Sequence, residues 1–218
     1  MRIYDNMNTV KKCAVKEKIL EAARELFGKF GYDKTTLEGI CHKTGKTKTS
    51  IYYYYDGKQA LLKDIVEREF AQMKESLEKV LTIDEHLTSA QIRAYLKERI
   101  NQILSMQVYP QFIVNQYSGT DDEACGVVRG IREDFDRWER REFYEICRVG
   151  KHHGILTDAV QPDAFADMIQ MLLKGIENQL VITSEKQSGV ETYDAMVDFL
   201  IKDCKEACEK ETELNNYA

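Results

Sequence analysis

The segment between residues 46 and 58 concentrates side chains that suit contact with a polyanion. Three lysines, three hydroxyl side chains and four consecutive tyrosines lie there: Lys46, Thr47, Lys48, Thr49, Ser50, Tyr52, Tyr53, Tyr54, Tyr55 and Lys58. Lysine ammonium groups and hydroxyl groups are common donors to the phosphate oxygens of DNA. On a helix that lies in a groove, short hydroxyls and Lys48 can also reach base edges. The segment therefore predicts binding to double-stranded nucleic acid.

Apolar residues at helical spacing predict the elements that must position this segment. One face of the first helix carries Ile19, Ala23, Leu26, Phe27 and Phe30. Gly31 follows as a stop signal, and from Lys58 a second stripe continues to about Leu81. Further helices are predicted near residues 89–106, 110–117, 122–152, 162–185 and 191–209. Two prolines and twelve glycines are too few turn signals for an all-β chain, so the predicted fold class is all-α.

Two short helices separated by a glycine follow the first helix. Thr35 and Glu38 form a capping-box pattern, which predicts where the second helix begins. Gly45 suits a left-handed turn, and Thr47 or Lys46 caps the third helix. Three helices with a tight turn between the second and third have the layout of a helix-turn-helix, whose third helix enters the major groove of DNA.

The formal charge is distributed unevenly along the 218 residues. The whole sequence has a net charge of -6, yet residues 1–58 carry 12 basic and 7 acidic residues, a charge of +5. Residues 59–218 carry 19 basic and 30 acidic residues, a charge of -11. A basic head and an acidic body predict two domains with different partners, residues 1–58 for DNA and residues 59–218 for other tasks. Without an apolar run of spanning length or a secretory signal, the chain is expected to be cytoplasmic, with no membrane partner.

The sequence TTL at residues 35–37, followed by GKTKTSIYYYYDGKQALL at residues 45–62, resembles the signature of the TetR family of bacterial transcriptional regulators. The close match covers residues 16–62, whereas the remaining chain agrees in length, helicity and helix count. The resemblance implies a homodimer that places each third helix in the major groove of a palindromic operator. It also implies a larger C-terminal helical domain that binds a small effector and dimerises through the last two long helices. Most members are repressors and none of these roles requires a cofactor.

Ten residues are the predicted contacts with the operator. They are Thr36, Lys46, Thr47, Lys48, Thr49, Ser50, Tyr52, Tyr53, Tyr54 and Lys58. By the family pattern Tyr55 occupies an apolar core position, and Lys58 meets a phosphate near a helix end. Glu38 departs from the pattern, because some members have a basic, base-reading residue there. We expect its carboxylate to close the capping box, and the alternative is that it accepts from a cytosine amino group.

The body offers weaker signals. Met106, Tyr117, Trp138 and Met171 are soft or aromatic side chains that suit an effector pocket, although the effector itself is not predicted. The arginines between residues 129 and 148, interleaved with carboxylates, predict a solvated face with i, i+4 pairs.

Two alternative functions rest on other residues. Cys204 and Cys208 are one helical turn apart and could form a thiol redox sensor, although they also fit an apolar stripe. A helical bundle that binds a metal or cofactor through carboxylates and cysteines is the other alternative. Because histidines and cysteines lack metal-ligand spacing and no catalytic frame appears, we expect neither a metal site nor an enzyme.

Overall fold

A computed structural model describes residues 2–116, 123–156, 159–182, 190–195 and 197, and over these residues the regular structure is entirely helical. The helices are α1 (Arg2–Phe30), α2 (Leu37–Thr44), α3 (Lys48–Tyr52), α4 (Lys58–Val80), α5 (Ser89–Ser105), α6 (Tyr109–Gln116), α7 (Glu123–His152) and α8 (Pro162–Ile182). The all-α prediction is confirmed. Residues 190–195 and 197 are also helical, and the rest of the helix predicted over 191–209 lies outside the described residues.

The chain forms two compact units. The first unit comprises Met1–Glu69 with Met106–Ile131, and the second comprises Phe70–Ser105 with Arg132–Ala218. Helix α6 therefore belongs to the same unit as the N-terminal helices, which the sequence did not predict. The division between the units falls within α4 and α7.

The core of the first unit is built from the predicted apolar stripes. Ile19 and Phe27 of α1, Ile51 of α3 and Leu61 of α4 are completely buried. Gly31 has a φ of 85° and ends α1, as predicted, since this left-handed conformation favours glycine. Phe30 was expected on the buried face and is half exposed, because it is the last residue of the helix.

The second unit contains a buried cluster of charges. Arg99 of α5 is fully buried, with its Nε 3.0 Å from Glu139 Oε1 and its Nη1 2.9 Å from Glu177 Oε2. Arg132 Nη1 lies 2.5 Å from Glu177 Oε1. The prediction of a solvated face on α7 is wrong for Arg132 and Glu139, which are 8% and 1% exposed. Spacing along α7 could not show this, because Glu139 meets a partner on α5 and Arg132 one on α8.

Candidate nucleic-acid interface

Helix α2 begins one residue later than predicted. Thr36 is its N-cap, and its hydroxyl oxygen accepts a hydrogen bond of 3.1 Å from the Gly39 N–H. Thr35 is buried, and its hydroxyl donates to the Gly31 carbonyl at 2.8 Å. The predicted capping box of Thr35 and Glu38 is therefore wrong, since the Thr35 hydroxyl is committed to the end of α1.

The turn between α2 and α3 has the predicted form. Gly45 has a φ of 68°, and its N–H donates to the Cys41 carbonyl. Thr47 is the N-cap of α3, and its hydroxyl oxygen accepts from the Ser50 N–H at 3.2 Å. This hydrogen bond satisfies one of the free N–H groups at the start of the helix. The turn and the cap together fix the direction of α3 from local sequence alone.

Most of the predicted DNA-facing side chains lie at the surface. Thr36, Thr47, Lys48 and Thr49 are exposed, while Lys46, Ser50 and Tyr54 are half-buried. Tyr52 and Tyr53 are 53% and 65% exposed, unusually high values for aromatic side chains. We call these nine residues the recognition surface.

Tyr55 differs from its three tyrosine neighbours. It is buried, and its hydroxyl donates to Asp64 Oδ2 of α4 at 2.8 Å. Burial raises the pKa of its phenol, and the bond to Asp64 adds to this effect. The structure thus places Tyr55 in the core, as the sequence predicted.

Lys58 is held by the protein itself. Its ammonium donates to the Tyr32 carbonyl at 2.9 Å and lies 4.0 Å from the centre of the Tyr32 ring. This contact fastens the first residue of α4 to the loop that joins α1 and α2. This hydrogen bond uses one of the three donors of the ammonium, so the predicted phosphate contact of Lys58 would use another.

The sequence interpretation missed a contribution from α1. The Lys12 ammonium lies 4.7 Å from the centre of the Tyr53 ring, and a hydrogen bond with Tyr53 raises the pKa of Lys12. A basic side chain of α1 thus stands beside the recognition surface. Only the excess of lysines near the start of the chain hinted at this, since Lys12 and Tyr53 are distant in sequence.

The described members of the predicted effector contacts are divided between the two units. Met106 is half-buried in the first unit. In the second unit Trp138 is packed against Phe135, with their ring centres 5.3 Å apart, whereas Met171 is 74% exposed. Tyr117 lies outside the described residues. Met106 does not line the cavity of roughly 200 Å³ in the first unit, which is bordered by residues 30–34, Gln111 and Phe112.

The remaining candidate features are the cysteines, groups of metal-ligating side chains and apolar helices. Cys13, Cys41, Cys125 and Cys147 are not in disulfide bonds, whereas Cys204 and Cys208 lie outside the described residues. Within the part of the chain that is described, histidine, cysteine and carboxylate side chains form no group that could hold a metal ion. In that same part, no helix combines the length and apolarity needed to cross a membrane.

Comparison with known proteins identifies relatives of this chain. The family model "Bacterial regulatory proteins, tetR family" matches residues 19–65. IcaR, the negative transcriptional regulator of the biofilm operon icaADBC in Staphylococcus aureus strain Newman, is 25% identical over 138 residues, which is 62% of this chain and 72% of IcaR. IcaR of Staphylococcus epidermidis is 41% identical over 56 residues, which is 26% of this chain and 30% of that protein.

Solved structures share the fold. A TetR transcription regulator from Haloarcula marismortui has a TM-score of 0.69 at 18% identity, covering 89% of this chain and 98% of its own. The SmeT–triclosan complex has a TM-score of 0.67 at 19% identity, covering 86% of this chain and 91% of SmeT. Both similarities extend well beyond residues 19–65, so the helical body also has a known architecture.

Proposed function

The chain belongs to the TetR family of bacterial regulatory proteins, and on that premise we propose that it is a cytoplasmic repressor that binds a palindromic operator as a homodimer and responds to a small effector. The observation that carries the proposal is the recognition surface, which presents lysine, hydroxyl and aromatic side chains around a correctly capped α3. The repressor direction rests on IcaR, a negative regulator. We assign DNA binding to residues 1–58, effector binding and dimerisation to residues 59–218, and no catalytic activity to either.

We propose that α3 enters the major groove, as the third helix does in helix-turn-helix proteins. Lys46 supplies charge to phosphates, while Lys48 and the exposed hydroxyls of Thr36, Thr47 and Thr49 donate to phosphate oxygens or base edges. Ser50, Tyr52, Tyr53 and Tyr54 complete this contact. Lys58 joins it by donating to a phosphate oxygen through an N–H that the Tyr32 carbonyl does not use.

The proposed dimer places α8 against a second copy of the chain. Met168, Met171 and Ile182 are exposed apolar residues whose spacing puts them on one face of α8. Such an apolar face on a surface helix is typical of an interface. A second copy is the favoured occupant because a palindromic operator requires two-fold symmetry. The predicted last helix is the second part of this proposed interface.

The proposed response to effector is a change in the distance between the two recognition helices, which are the α3 helices of the two chains. An effector bound among the helices of the body would tilt α4, which begins directly after the recognition surface. The recognition helices would then lose the spacing of roughly 34–36 Å that matches successive major grooves. This response requires that the effector bind the dimer more tightly at one spacing of the recognition helices than at the other.

Salt-dependent operator binding tests the proposal. Lys46→Ala and Lys48→Ala should each weaken binding, and Lys46→Ala should also reduce the slope of log affinity against log salt by about one, because it removes one phosphate contact. Fluorescence anisotropy with a duplex selected from a randomised pool measures this slope, and the titration end point should give two chains per duplex. Lys79→Ala is the matched control, since this exposed lysine lies roughly 30 Å along α4 from Lys58. An unchanged affinity in both variants together with an unchanged slope in Lys46→Ala would contradict the proposal.

A further inference from the structure

An exposed ion pair joins α2 to the recognition helix. The Glu38 carboxylate contacts the Lys48 ammonium, and the two side chains are 64% and 51% exposed. Glu38 lies in the first turn of α2, and Lys48 is the first residue of α3. The hydrogen bond from Lys48 holds the pKa of Glu38 below its ordinary value, and the same bond raises the pKa of Lys48. A negative charge is thus fixed beside the recognition surface.

Stability does not explain this carboxylate. Thr36 is the N-cap of α2, and the hydrogen bonds of Glu38 with its own backbone and with Thr36 lower its pKa less than the hydrogen bond from Lys48 does. An exposed ion pair contributes little to folding because water screens both charges. The positive end of α2 favours an acid in the first turn, but it does not require that the acid point at α3. For binding to phosphates, a carboxylate at this place is a cost.

We propose that Glu38 and Lys48 together read one G·C base pair in each half of the operator. In the major groove guanine presents the acceptors N7 and O6, and its cytosine partner presents the N4 amino donor beside them. An ammonium and a carboxylate already in contact match these groups, because Lys48 donates to guanine while Glu38 accepts from cytosine. This inference rests on the proposed function and adds Glu38 to it as a specificity-determining residue.

The same carboxylate disfavours other sequences. An A·T pair presents its amino donor between two acceptors, N7 and O4, with the thymine methyl group beside them, so the order of two acceptors followed by a donor that Lys48 and Glu38 match is absent. On DNA without the operator the carboxylate faces phosphates and repels them. Glu38 therefore lowers affinity for non-operator DNA while it favours the G·C pair, and specificity is the difference between these two affinities.

Selection of binding sites from a pool of randomised duplexes tests this inference. The wild-type chain, Glu38→Ala, Lys48→Ala and Glu25→Ala are each put through the same selection. Glu25 is the matched control, because its carboxylate is half exposed and lies 2.5 Å from the Lys43 ammonium, in an ion pair between α1 and α2. We expect Glu38→Ala and Lys48→Ala to lose preference at the same G·C pair by roughly tenfold. Glu25→Ala should keep the wild-type preference at every position.

A second readout separates specificity from folding. Glu38→Ala should bind a scrambled duplex more tightly than the wild-type chain does and should unfold at the same temperature. The inference is overturned if Glu38→Ala keeps the wild-type base preferences, or if Glu38→Ala and Lys48→Ala change different base pairs. A wild-type chain that selects no common sequence would instead overturn the proposed function, and this inference with it.

Discussion

Replacing Arg99 with alanine is expected to lower the free energy of unfolding by about 3–5 kcal/mol, because it leaves buried carboxylates without their cation. Burial lowers the pKa of the Arg99 guanidinium, but Glu139 and Glu177 outweigh burial and raise it. Without Arg99, Glu177 keeps its contact with Arg132. For Glu139 the described hydrogen bond that remains is the one from the Tyr95 hydroxyl, at 3.2 Å.

A double substitution separates the cost of leaving Glu139 without Arg99 from the net contribution of the Arg99–Glu139 ion pair to stability. Arg99→Met combined with Glu139→Leu removes both charges and fills the space with apolar atoms. Replacing a buried ion pair in this way is often neutral or stabilising, so the double variant should recover most of the loss. Glu177 remains paired with Arg132 in it.

Urea unfolding of the wild-type chain, Arg99→Ala and the double variant measures the effect. Arg140→Ala is the control, since Arg140 pairs with Asp163 and Asp167 at the surface and its loss should change stability little. A loss of less than about 1 kcal/mol in the free energy of unfolding of Arg99→Ala would contradict the proposed role of Arg99. A double variant that is no more stable than Arg99→Ala would also contradict it.

Replacing Glu69 with alanine is expected to lower the free energy of unfolding by about 2–3 kcal/mol. The Glu69 side chain of α4 caps α6, because Oε1 accepts from the N–H groups of Gln107 and Val108 at 2.8 and 3.0 Å, and Oε2 accepts from the Tyr109 N–H at 2.9 Å. N–H groups at a helix start have no partner within the helix. Val108 and Tyr109 are buried, so water cannot readily replace the carboxylate.

The Glu69 substitution should also weaken operator binding. The Gln111 amide of α6 donates to the Phe27 carbonyl at 2.9 Å and to the Gly28 carbonyl at 3.3 Å, near the end of α1. Helix α6 therefore ties α4 to α1, and the position of α1 supports α2 and α3. Loosening the start of α6 removes one of these ties.

Thermal unfolding tests the role of Glu69. For a chain of this size a loss of 2–3 kcal/mol lowers Tm by about 4–12 °C. The Tm of Glu69→Gln should lie between those of Glu69→Ala and the wild-type chain, since one acceptor oxygen remains. Glu67→Ala is the control on the same helix, because Glu67 is exposed and pairs with Lys63 at 3.8 Å. A Tm for Glu69→Ala within a degree of the wild-type value would contradict the assigned cap.

Local signals predicted the helix-turn-helix well. Gly31, Gly45 and Thr47 end or begin helices through their own backbone or side chain, so a short window of sequence contains the cause. A short stretch of sequence does not decide whether Thr35 or Thr36 is the N-cap of α2, because both are hydroxyl residues at a plausible cap position. The choice between them depends on the end of α1, where the Gly31 carbonyl accepts from Thr35.

Contacts between distant helices were not predictable in the same way. Arg99 was overlooked although it shares the buried stripe of α5 with Ile92, Leu96 and Ile103. A charged residue on such a stripe indicates a buried partner, but its spacing does not identify that partner. Glu139 and Glu177 come from α7 and α8, so only the packing of the three helices brings them together.

The ratio of two dissociation constants tests the central claim most directly. One constant is measured for the selected operator and the other for a scrambled duplex of the same base composition, both at physiological salt. A sequence-specific regulator should bind the operator at least about 10³-fold more tightly, because base contacts add to phosphate contacts only on the correct sequence. A ratio near one would contradict the assignment of the recognition surface to DNA reading.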